Sequence, residues 1–80
     1  MKASKLIIDC SLNDMKNILG EDSQVVFRGI VLSEDELVAR QLNVGDMVVY
    51  KIEDKYYPVV KLDDIKYLRA TDSIHVKDFN

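Results

Sequence analysis

The stretch from Val44 to Leu62 constrains this chain more than any other. Val44-Gly45-Asp46 reads as a tight turn opening onto the unbroken apolar run Met47-Val48-Val49-Tyr50. A run with no polar alternation predicts a strand covered on both faces. Ile52-Glu53-Asp54-Lys55 supplies the reversal, and Tyr56-Tyr57-Pro58-Val59-Val60 the return strand. Pro58 has no N–H to give a ladder, so the return strand is expected at a sheet edge or with a bulge there. The chain has 80 residues, which permits one domain, residues 1–80, and no more.

The flanking segments add further strands and short helices. Residues 5–10 read as a strand, with Leu6, Ile8 and Cys10 sharing a face by the period of two. Residues 11–20 carry a short helix signature. Ser11 is placed to cap, with Asp14 three residues on. Leu12, Met15 and Leu19 form one stripe with Ile18 beside it, and Gly20 suits a left-handed stop. At about two turns the segment equally suits an ordered loop. Residues 24–32 read as a strand in which Gly29 marks a bulge or a close backbone approach. Ser33 and Glu36 form a capping box, and Glu34, Asp35 and Glu36 favour the positive end of a helix dipole. A helix is predicted over 34–42, closed by Asn43, with Leu37, Val38 and Leu42 toward the core. Asp63-Asp64 turns the chain into Ile65-Lys66-Tyr67-Leu68, and Ile74-His75-Val76 suits a last short strand after the Thr71-Asp72-Ser73 turn. The expected fold class is mainly β: a small β-barrel or roll of five to six short strands with one or two short helices. Residues 5–69 form its core and residues 70–80 a C-terminal extension.

Composition narrows the function. A domain of this size buries only about 60% of its unfolded surface, so it gains from partner subunits. The formal net charge is -3, and the basic residues run from Lys2 to Lys77 without a cluster. That argues against nucleic acid, which calls for a concentrated basic face. Cys10 is the sole cysteine, so no internal disulfide is expected, and a reducing, cytoplasmic setting follows. Leu6-Ile7-Ile8 meets Asp9 too soon for a secretory signal, and no stretch approaches a membrane span. His75 is the only histidine, which with one cysteine leaves no zinc set. Ser11, Ser33 and Ser73 are accounted for by caps and turns, and Asp63-Asp64 by a solvated turn. Tyr50, Tyr56, Tyr57 and Tyr67 suit strand packing. The expectation is a non-enzymatic binding or assembly module with no cofactor and no metal.

Val44-Gly45-Asp46-Met47-Val48-Val49-Tyr50 resembles the V-G-D-x-V-x-[FY] segment of the GroES-like co-chaperonins. Tyr57-Pro58-Val59-Val60-Lys61-Leu62-Asp63-Asp64-Ile65 resembles that family's closing motif, in which a strand meets an acidic pair, then Ile, then an apolar strand. Lys5 to Cys10 and Phe27 to Leu32 match its earlier strands in order, so the resemblance spans residues 5–69. The chain departs from the family in lacking a strand between Tyr50 and Tyr56 and in carrying two helix signatures. The resemblance implies a homo-oligomeric ring that caps a chaperonin through an apolar loop. Residues 11–24 would be that mobile loop, with Asn17, Ile18, Leu19 and Gly20 as the docking segment; Gly29-Ile30-Val31-Leu32 is the second candidate. It also implies pairing of first and last strands between neighbouring subunits, through Leu6, Ile8, Ile65, Tyr67 and Leu68. Two other readings suit the pattern. Ile30 to Leu62, a capped helix followed by L-x-V-G-D and a hairpin, is similar to AbrB-type swapped-hairpin DNA-binding domains. A structural barrel within a larger assembly, such as a virion component or adaptor, requires only a packable sheet with open edges.

Overall fold

The computed structural model describes residues 5–20 and 25–75, the side chain of Val38 excepted. In chain order the elements are β1 (Leu6–Cys10), α1 (Leu12–Leu19), β2 (Val26–Leu32), α2 (Glu34–Ala39), β3 (Asp46–Ile52), β4 (Lys55–Lys61) and β5 (Lys66–Ala70). The five strands form one mixed sheet in the order β1-β5-β4-β3-β2. The pairs β3–β4 and β4–β5 are antiparallel, whereas β1–β5 and β2–β3 are parallel. The mainly β class with two short helices is therefore what the chain adopts.

The hairpin forms where its residues require it. Ile52 pairs with Lys55 across Glu53-Asp54, and Glu53 takes the left-handed φ of 55° that so short a reversal demands. Pro58 is not at an edge, because β4 lies between β3 and β5. The ladder explains how it is accommodated. With Ile52 and Lys55 closing the turn as a hydrogen-bonded pair, alternation puts Val49 and Pro58 on a pair that exchanges no bonds. The missing N–H thus faces the β5 side, where pairing begins only at Val59 with Arg69. In β2 the register slips between Phe27 and Val31, around Gly29 at φ 67°. A Cβ on Gly29 would meet nothing within 4 Å, so the bulge needs glycine for its backbone angle and not for space.

The two helices cover opposite faces of the sheet. On one face Leu37 of α2 packs with Leu32, Leu42, Val48, Tyr50, Val59 and Tyr67. On the other, Met15 of α1 packs with Val60, Leu68 and Ala70, flanked by Cys10, Leu12, Leu19 and Met47. This is the double cover that the unbroken run at 47–50 predicts. Each side chain fully buried this way contributes about 1.5–3 kcal/mol.

Of the two readings of residues 11–20 the helix is the one the chain adopts, and two later boundaries differ from expectation. Residues 11–20 form a helix and not an open loop: the Ser11 hydroxyl accepts from the Asp14 N–H, and the Gly20 N–H returns to the Lys16 carbonyl. The second helix ends at Ala39, short of 42, because Arg40 turns extended at φ -77°, ψ 134°. Lys5 Nζ then donates to the carbonyls of Leu37 and Arg40 at 2.9 and 3.0 Å, and Lys61 Nζ to that of Leu42 at 2.6 Å. Leu42 still reaches the core, from an extended segment. Beyond β5 the described residues make one isolated bridge, Ile74 to Tyr56, where the sequence suits a last short strand. Val76 and Gln24, which the sequence places in strands, lie outside the described residues, as does the Val38 side chain.

Candidate protein-binding surface

The docking segment expected at 17–20 is the last turn of α1 and the residue after it. Helical spacing separates its two apolar members. Leu19 joins Leu12 and Met15 on the buried stripe, whereas Ile18 points away and is 58% exposed. Asn17 and Gly20 are exposed, and Gly20 takes a left-handed φ of 72°. A second tie holds the start of the helix, since the Leu12 N–H donates to Asp72 Oδ2 at 2.8 Å.

The residues expected to join subunits divide as well. β1 and β5 do pair, but with each other in one chain: Leu6 opposite Lys66, Ile8 opposite Leu68, Cys10 opposite Ala70. Tyr67 and Leu68, only 1% and 2% exposed, are core residues of this subunit and present no side-chain surface to a neighbour. β5 has strands on both sides, so its backbone is already spent. Leu6, Ile8 and Ile65 remain exposed. The Leu6 N–H donates to the Ile65 carbonyl and the Cys10 carbonyl accepts from the Thr71 N–H, so alternate residues Leu6, Ile8 and Cys10 bond toward β5. The backbone groups of Ile7 and Asp9 then face the other side of β1, where the described residues place no strand.

Charge along this edge is internally matched. Asp9 accepts from Arg69 Nε and Nη2 at 2.7 and 3.0 Å across the β1–β5 pair. The Arg69 hydrogen bond holds the Asp9 carboxyl below the ordinary carboxylate range. The same guanidinium lies 5.2 Å from the Tyr50 ring centroid. Burial, with Asp14 and Asp9 nearby, pushes the Cys10 thiol up, so it stays protonated and a poor nucleophile at neutral pH.

The sequence marks a turn at Val44-Gly45-Asp46 but assigns no role to the Asp46 side chain. This carboxylate is nearly buried, accepts from Arg28 Nε at 3.1 Å through Oδ1 and from the Asn43 N–H at 3.0 Å through Oδ2. Its signal was the spacing of Asn43 and Asp46 around Gly45, which the motif reading treated as a turn only. Among the described residues no group of three or more His, Cys, Asp or Glu is placed to hold a metal ion, and no helix is long and apolar enough to cross a membrane. Comparison of the chain with protein-family models, with curated proteins and with solved structures finds no match.

Proposed function

We propose that this chain is a non-enzymatic protein-binding and assembly module, similar to the GroES-like co-chaperonins. In this reading copies of the chain assemble, and each offers the outer face of α1 to a chaperonin ring. The observation that carries the proposal is Ile18, a large apolar side chain more than half exposed on a helix whose other apolar residues pack inward. It lies at the position where the resemblance implies a docking segment. One such contact is weak, because burying an Ile yields about 1.5–3 kcal/mol before ordering costs. Several copies in one assembly multiply it by avidity.

The test is titration of purified chaperonin with the parent chain and with Ile18→Ser, read by native mass measurement. Binding by the parent and its loss in I18S, with the melting temperature unchanged, is the expected result. Absence of binding by the parent overturns the chaperonin reading. If the parent nevertheless assembles with itself, the subunit of a larger structure is the function left standing, as a virion component or adaptor.

A further inference from the structure

Four of the eleven basic residues, scattered in sequence, come to one segment of the fold. Segment 40–46 contains Arg40 and a single acid, Asp46. Lys5 and Lys61 donate to its carbonyls at Arg40 and Leu42, and Arg28 is bonded to Asp46. Four cations therefore belong to or touch this segment, Lys5 and Lys61 only through its backbone carbonyls, in a chain whose net charge is -3. An open cavity of about 400 Å³ lies here, lined by two guanidinium groups, Arg28 and Arg40, by one carboxylate, Asp46, which Arg28 already pairs, and by Gln41, Asn43, Ile30 and Leu42. Arg28 is oriented through its Nε on Asp46, and among the described residues Arg40 has no ion-pair partner. A concave site with one sign of charge in excess focuses the field on whatever enters it.

We propose that this cavity binds a small organic oxyanion, a carboxylate or phosphate carried on an apolar stem. Guanidinium groups match both anions through paired N–H donors. The Gln41 and Asn43 side chains add neutral donor capacity, and Ile30 and Leu42 supply an apolar wall for the stem. The volume lies within the usual range for small-molecule sites. This inference stands apart from the docking function, because it uses none of Leu6, Ile8, Ile18 or Ile65.

The experiment is an amide-shift titration of the full chain with benzoate and with phenyl phosphate, and with benzyl alcohol as the uncharged control. Saturable shifts over residues 28–30 and 40–46 with the anions, and none with the alcohol, are expected. Stronger saturation by benzoate assigns a carboxylate ligand, and by phenyl phosphate a phosphate ligand. Arg40→Gln should weaken binding roughly tenfold or more, the loss of a charge-assisted contact. If R40Q melts below the parent, Arg40→Lys replaces it, with a smaller loss expected from keeping the charge without the fork. Shifts that do not saturate, that the alcohol reproduces, or that neither Arg40 variant reduces would overturn the proposal. So would short duplex DNA that binds the same residues more tightly than either probe with a steep salt dependence, which favours a backbone-phosphate face instead.

Discussion

Asp46 accepts from the Asn43 N–H and from the Arg28 guanidinium, and so ties the turn before β3 to β2. The Asn43 hydrogen bond is the main cause that holds its carboxyl below the ordinary carboxylate range; burial opposes it, and Arg28 and Lys61 add to it. A folded-state value below the unfolded one means that the contribution is complete above about pH 4 and is lost as pH falls through the folded value. Asp9 has the same sign and is more exposed, so solvent screens its share. In thermal melts taken from about pH 7 to about pH 2, the parent should lose stability on the acid side. Asp46→Asn should start lower at neutral pH and fall less steeply. Parallel acid slopes for the two proteins would remove Asp46 as the linked group. Gly45 is at φ 92°, where a β-branched side chain is strained, and its N–H donates to the Lys61 carbonyl. Gly45→Val should cost about 1–3 kcal/mol, several degrees of melting temperature in a domain this small. An unchanged midpoint in calorimetry would contradict the strained turn.

At the level of elements, α1 separates two roles that the sequence left joined. Met15 is 1% exposed at the centre of the packed face, so Met15→Ala should cost about 2–5 kcal/mol. Ile18→Ser should stay within about 0.5 kcal/mol of the parent, as exposed substitutions do. Denaturant melts of the pair make the comparison, and equal losses would show that Ile18 is packed. Both helix starts were legible in the sequence because their caps are local: the Ser11 and Ser33 hydroxyls each accept from an N–H three positions on. The end of α2 was not legible. Lys5 and Lys61, 32 and 19 residues from the carbonyls they bond at Leu37 and Leu42, make an extended exit at Arg40 as well satisfied as another helical turn. Pro58 misled for a related reason, since the direction of a missing N–H depends on ladder phase and not on residue type. The site shows the same division. The exposure of Ile18 follows from its place beside the stripe, whereas the burial of Tyr67 and Leu68 depends on β5 lying between β1 and β4.

For the molecule as a whole, the side of β1 on which the described residues place no strand is the feature that bears on assembly. Natural edges are usually protected by proline, a bulge, or a charge pointing inward. β1 has no proline, its pairing to β5 is without a register shift, and Asp9 is already matched by Arg69. The lysine just before it is held by carbonyls at the end of α2. Leu6 and Ile8 stay exposed beside this edge, so self-association through β1 is expected at micromolar concentration. Light scattering should show it, and Ile8→Lys should shift the population toward monomer without lowering the melting temperature. A monomeric parent under those conditions would count against assembly through this edge. The sheet order also has a bearing on how the protein is made. β5 occupies an inner position between β1 and β4, yet it follows every other strand in the chain, sixty residues after its partner across the Asp9–Arg69 pair. A ribosome adding roughly 5–20 residues each second needs roughly 3–12 s to cover that interval. Throughout it the N-terminal strand has no berth and the apolar stripe of α1 has no floor, and the β3–β4 hairpin is complete only near its end. The nascent chain therefore emerges with a vacant slot at its centre, filled only when the final strand slides in between the first strand and the hairpin.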